Sequence, residues 1–161
     1  MTENRRARSN PVSALFRLAA MATATVFLMA ILIISLPFVR GKTRRRAYQG
    51  RIMQMWAGWC CRLAGITVRK HGTVPPSRGI LLTPNHTGYA DIFVLAAILP
   101  ISFVSKDEVA RWPLVGLGAR LTGHIFIARK RSRPLVEAGE ALQKCLSDGG
   151  TVCVFCEGTS F

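Results

Sequence analysis

Two polar loops and one basic strand end hold the side chains of this 161-residue chain that could do chemistry. The first loop is Asn85-His86-Thr87-Gly88-Tyr89-Ala90-Asp91, set between an apolar run ending at Thr83 and an apolar helical pattern. A histidine and an aspartate five positions apart meet if the turn folds back. The carboxylate then holds one imidazole nitrogen and leaves the other as a general base. The plainer reading is a polar loop with Asp91 near a helix N-terminus, where the dipole favours it. The second loop is Phe155-Cys156-Glu157-Gly158-Thr159-Ser160. Gly158 allows close backbone approach to a ligand, and Thr159 and Ser160 offer hydroxyls and amides to an anion. Taken alone it is another turn. The third feature is the run Gly123–Ala128, which delivers Arg129 and then Lys130 and Arg131. A cation at a strand end suits a phosphate, and a solvated charge run is the bland alternative.

The elements that must position these loops are short. Ile66–Val68, Gly79–Thr83, Ser102–Ser105, His124–Ala128 and Thr151–Phe155 read as strands, rich in β-branched and apolar residues. Asp91–Leu99, Trp112–Leu121 and Arg133–Leu146 read as helices. Their alternation predicts an α/β fold, a largely parallel sheet flanked by helices, with ligands at the carboxyl ends of the strands. Near-continuous apolar strands such as TVCVF predict a sheet covered on both faces. Only six residues follow Thr151–Phe155. Residues 65–161 are therefore expected to form an α/β domain incomplete at its C-terminus, with one face of that strand left uncovered.

Charge divides the chain. Lys and Arg number 22 against eight acids, a net of +14. Residues 1–72 carry 13 bases and one acid, whereas residues 73–161 carry nine and seven. The surplus belongs to the N-terminal part, which suggests a membrane or polyanion partner for it. Leu18–Val39 contains no charge. At about 1.5 Å per residue it reaches roughly 33 Å, enough for a ~30 Å hydrocarbon core. Pro37 ends or bends it. Bases flank it on both sides, four before and six after, so positive-inside asymmetry is small, with a slight excess favouring a cytoplasmic C-terminal side. A spanning helix and a re-entrant hairpin both remain. From Gln49 to Leu63, the apolar residues Ile52, Met53, Met55, Trp56, Trp59, Cys60 and Leu63 trace one helical face, away from Arg51, Gln54 and Arg62. Trp56 and Trp59, with the polybasic Arg44, Arg45 and Arg46, are the expected membrane contacts. Residues 1–64 thus read as basic membrane-anchoring helices, and nucleic acid is a minor alternative. A non-catalytic module that binds anionic lipid is the rival to any enzyme.

Other features carry little. Five cysteines form no framework spacing. The pair Cys153 and Cys156 would point to opposite faces of a strand. Gly116-Leu117-Gly118 has no phosphate-loop strand before it, and His71 and His124 read as structural. No cluster has metal-ligand spacing.

Taken together and in this order, NHTGYAD, GHIFIARK and FCEGT resemble the glycerolipid acyltransferases of the lysophosphatidic acid acyltransferase type. Phe103-Val104-Ser105-Lys106-Asp107-Glu108, with Trp112-Pro113 and Gly116, resembles the stretch those enzymes carry between their first two motifs. The likeness covers roughly residues 65–160. It implies transfer of a fatty acyl group from a thioester, on coenzyme A or acyl carrier protein, to a lysolipid hydroxyl, with no cofactor and no metal. The acceptor it points to first is 1-acyl-glycerol-3-phosphate, giving phosphatidic acid. His86 would deprotonate the acceptor and Asp91 would orient its ring. Arg129, Glu157, Gly158 and Thr159 would line the acceptor site, with Arg129 on the phosphate. Three positions depart from the family's habit: Gly88 where Ser is common, Cys156 where Pro is common, and Ser160 where Arg is frequent. The missing arginine keeps a lyso-ornithine-type acceptor open. A later proline-bearing motif is absent from these 161 residues.

Overall fold

The structure is a computed structural model that describes residues 11–73, 78–127 and 134–156. It opens with two long helices. The first, α1 (Pro11–Ser35), begins on a proline, which suits a first helical turn because its missing N–H would be unpaired there anyway. A short 3-10 turn, Leu36–Phe38, ends it at Pro37. The second, α2 (Lys42–Ala64), stops at Gly65, whose φ of +74° is left-handed. The Gly65 and Ile66 amides there donate to the Arg62 and Cys61 carbonyls.

Beyond them the chain alternates strand and helix: β1 (Leu81–Leu82), α3 (Ala90–Ile98), β2 (Ile101–Lys106), α4 (Val115–Leu121), β3 (Ile125–Ile127), α5 (Pro134–Ser147) and β4 (Thr151–Cys153). The four strands form one parallel sheet in the order β1-β4-β2-β3. The last strand is inserted at its centre, with Val152 opposite Leu81 and Thr151 opposite Ile101. Parallel pairing with helical crossovers buries both faces of such a sheet. Consecutive residues on β4 confirm this, since Val152 and Cys153 point to opposite faces and neither is exposed. Cys153 packs with Met53 and Ala57 of α2 and Ala96 of α3, and Val152 packs with Cys145 of α5.

Several expectations change. β4 is not left open on its second face, because α2 comes back from the N-terminal segment to cover it beside α3. Ile66–Val68 pairs with no strand among the described residues, although it alternates half-buried and exposed as a strand would. The helix expected from Trp112 starts only at Val115. Trp112 lies at φ −69° and ψ 133°, extended, because a residue preceding proline is pushed out of helical geometry.

The outward side chains of α2 differ too. Gln54 donates to the Ala97 and Ile98 carbonyls at 3.3 and 2.9 Å, and Gln49 to the Leu121 carbonyl at 2.6 Å. Those carbonyls close α3 and α4, where no intrahelical donor remains. Polar residues that the helical face alone would give to solvent therefore rivet α2 to two other helices. Gly50 lies between them, and an added Cβ there would stand 2.8 Å from Pro100.

Candidate active site

The loop after β1 folds back as its histidine–aspartate spacing requires. A single oxygen, Asp91 Oδ2, accepts from the Thr87 amide at 2.7 Å, the Gly88 amide at 3.0 Å and His86 Nδ1 at 3.1 Å. The Thr87 hydroxyl donates to both carboxylate oxygens at 3.3 Å. Burial by itself raises the Asp91 pKa. The Gly88 and Thr87 amides, the His86 ring and the Thr87 hydroxyl outweigh it and hold the carboxyl below its ordinary value. An ionised carboxylate accepts only, so it fixes the proton of a neutral His86 on Nδ1. Nε2 is then the nitrogen with a lone pair for base chemistry.

The histidine is held from a second side. Phe155, just beyond β4, stacks on the His86 ring with centroids 4.0 Å apart and planes inclined by 20°. Phe155 stacks in turn on Phe103 of β2 at 6.0 Å, and Phe103 contacts His124 at 5.5 Å. The central strands thereby deliver an aromatic row to the His86 ring. Phe155 was legible only as the last residue of a strand. Its signal was the neighbouring placement of the strands, which spacing does not encode.

One residue beyond Asp91 an apolar cavity of about 290 Å³ begins. Leu28 and Leu32 of α1, Ile52 and Trp56 of α2, Ile92 of α3, Phe103 of β2 and Gly118 of α4 line it, with His124 at one end. Trp56 is turned inward here. Its indole donates to Thr25 Oγ1 at 2.9 Å, and its ring meets Phe93 at 5.4 Å. Of the two tryptophans expected at the membrane, only Trp59 stays exposed. Burial pushes the His124 pKa down to about 4, against a small opposing effect of its backbone bond to Ala119. The ring is therefore neutral at pH 7, and Nδ1 pairs with the Thr122 hydroxyl at 3.0 Å.

Other expected site residues fall elsewhere. Arg129, Glu157, Gly158 and Thr159 lie outside the described residues. Arg46 donates to the Gly123 carbonyl at 3.3 Å, and Arg44 and Arg45 are exposed. A Cβ added at Gly88 would meet nothing within 4 Å among the described residues, which leave room for the serine common at that position. Among the described residues, no group of three or more His, Cys, Asp or Glu side chains is placed to hold a metal ion.

The sequence model of the acyltransferase family matches residues 65–161, the segment that carries the His86–Asp91 loop and the whole sheet. The chain belongs to the acyltransferase family. It is 37% identical over 105 residues to a lyso-ornithine lipid O-acyltransferase of Rhizobium meliloti (strain 1021), covering 65% of this chain and 36% of that protein. A 1-acyl-sn-glycerol-3-phosphate acyltransferase of Neisseria gonorrhoeae is 34% identical over 79 residues, 49% of this chain and 31% of its own length. The chain thus spans about a third of these curated relatives. Among solved structures, the acyltransferase PlsC from Thermotoga maritima matches with a TM-score of 0.74 at 22% identity, over 94% of this chain and 62% of that one. That likeness includes the N-terminal helices as well as the sheet, so this chain and PlsC share a fold.

Proposed function

We propose that the chain forms the base-bearing part of an O-acyltransferase that moves a fatty acyl group from a thioester, on coenzyme A or acyl carrier protein, to the hydroxyl of a lysolipid. The observation that carries this is the His86–Asp91 pair beside an apolar cavity. His86 Nε2 takes the proton of the acceptor hydroxyl as its oxygen attacks the thioester carbonyl. Asp91 stabilises the resulting imidazolium, and the departing thiolate recovers a proton from it. A thioester is already activated, so positioning and one base supply most of what the reaction requires. The cavity is the place for the acyl chain, since it begins at Ile92 and has almost no polar lining.

The first acceptor is 1-acyl-glycerol-3-phosphate. A second, lyso-ornithine lipid, is favoured by Ser160 in place of a phosphate-pairing arginine, and by the names of relatives 37% and 40% identical. The two are separated by offering both acceptors with one acyl thioester to the protein that contains this chain, and measuring release of the free thiol. Transfer to either acceptor that is lost in His86→Ala supports the reading. Transfer unchanged in His86→Ala refutes it.

The membrane is the working surface in this reading. Pro11–Phe38 is long and apolar enough to cross a bilayer. From Ala24 onward, however, its inner face packs on α2 and α4 through Leu28, Leu32 and Leu36. Residues 11–19 are exposed on all sides. They make roughly 14 Å of helix, about half of a ~30 Å hydrocarbon core. This favours a hairpin inserted in one leaflet, the cytoplasmic one, over a helix that spans both. Trp59, beside Arg62, suits the interface.

A further inference from the structure

A second cavity, of about 230 Å³, lies at the amino-terminal end of the central strands, opposite the His86 loop. Thr151 is the first residue of β4 and Ser102 the second of β2, and both line it. His86 follows the carboxyl end of β1, so the two sites occupy opposite ends of the parallel strands. Arg44, Arg46 and Arg51 of α2 and Arg78 ahead of β1 line the same space, and no acidic residue among the described residues does. Asp148 is near in sequence but does not line it. Arg44, Arg51 and Arg78 are exposed and Arg46 donates to the Gly123 carbonyl, so the cavity has a basic mouth that favours an anion over a cation.

A second observation points the same way. Thr151 is 3% exposed, and its hydroxyl is buried with no hydrogen-bond partner. Leaving such a group unpaired costs about 1–3 kcal/mol, which a ligand acceptor in the cavity would remove. The surrounding backbone is shaped for close approach. Gly149 takes φ +81°, and an added Cβ on it would stand 3.2 Å from Thr43. A Cβ on Gly150 would meet Cys145 Sγ at 2.7 Å. This turn seats Thr43, in the first turn of α2, against Gly149, and both line the cavity with Thr151.

We propose that this cavity binds a phosphate-type oxyanion, free or borne on a lipid headgroup, at a site separate from acyl transfer. The Thr151 hydroxyl donates to one oxygen and the arginines neutralise the charge. The inference does not depend on the acceptor assigned to His86.

The test uses the whole chain in nonionic detergent, followed by thermal unfolding. Inorganic phosphate raises the midpoint above that in chloride of equal ionic strength. Thr151→Val, which removes the orphan hydroxyl, is no less stable than the unaltered protein without phosphate, yet binds phosphate roughly tenfold more weakly. Arg78→Gln weakens binding similarly, and Thr151→Ser retains it. A parallel arm replaces phosphate with phosphatidylglycerol or phosphatidylcholine in the micelles. A Thr151-dependent rise with phosphatidylglycerol alone assigns a lipid headgroup, and one with inorganic phosphate alone a soluble ligand. No rise in either arm, or a rise equal in Thr151→Val and Arg78→Gln, overturns the proposal. Loss in Thr151→Ser as large as in Thr151→Val assigns the effect to packing and overturns it too.

Discussion

Asp91→Asn separates charge from geometry in the His86–Asp91 loop. Oδ2 accepts the Thr87 amide, the Gly88 amide and His86 Nδ1. An asparagine carbonyl oxygen placed there keeps all three donors. Its NH2 group then faces the Thr87 hydroxyl, which turns to accept. What disappears is the negative charge 3.1 Å from the ring that must become an imidazolium. That charge pair is worth about 1.3 kcal/mol in water and about 5 kcal/mol at an effective dielectric constant of 20. The side chains are 12% and 26% exposed, so the value lies between these limits, at ~2–4 kcal/mol. The acyl-transfer rate constant should therefore fall roughly 30- to 1000-fold. Stability should stay within ~0.5 kcal/mol, because the loop keeps its hydrogen bonds. Asp91→Ala leaves two amides without their acceptor and should lose ~1 kcal/mol of stability as well. The assay is thiol release from an acyl thioester against lysolipid concentration, with urea unfolding in parallel. An Asn variant within threefold of the unaltered rate would show that Asp91 only staples the loop, and the charge argument would fail.

Two further predictions rest on neighbouring geometry. In α4, Gly116 and Gly118 look alike in sequence but differ in space. A Cβ at Gly116 would stand 2.3 Å from the Ala110 carbonyl oxygen, whereas at Gly118 the nearest atom is Met29 Sδ at 3.8 Å. Gly116→Ala should cost ~1–3 kcal/mol in urea unfolding, and Gly118→Ala should gain up to ~1 kcal/mol. The second concerns pH. The His124 ring stays neutral in the fold down to about pH 4, while an unfolded chain protonates it near 6.5. Its contribution is complete above pH 6.5 and is lost as pH falls toward 4, by up to ~3 kcal/mol. Urea midpoints at several pH values check this, and His124→Gln should flatten the decline.

Much of the site was legible in the residues. The spacing from His86 to Asp91 and the strand before it placed the pair at a strand's carboxyl end, and the structure joins its two side chains at 3.1 Å. The parallel sheet followed from alternating strand and helix patterns. Spacing could not reveal that β4 inserts between β1 and β2, because strand order depends on which edges remain open once helices cover both faces. The stacking of Phe155 on His86 follows from that insertion and was equally hidden.

The N-terminal helices show the same division. Their apolar length and basic flanks were properties of composition, so the membrane reading needed no fold. Periodicity assigned Trp56 and Trp59 to one apolar face, yet a helix face has two possible solvents, lipid and protein. Packing chose between them: Trp56 closes the cavity beside Ile92, and Trp59 remains outside. Sequence thus determined the His86–Asp91 pairing, the α/β alternation and the location of the charge, because each depends on residues near one another along the chain. Only the tertiary structure decided that α2 covers the sheet, where the apolar cavity opens, and that four arginines and a buried threonine line one cavity. Those features join residues far apart in the chain or packed from separate elements, and local spacing carries no record of them.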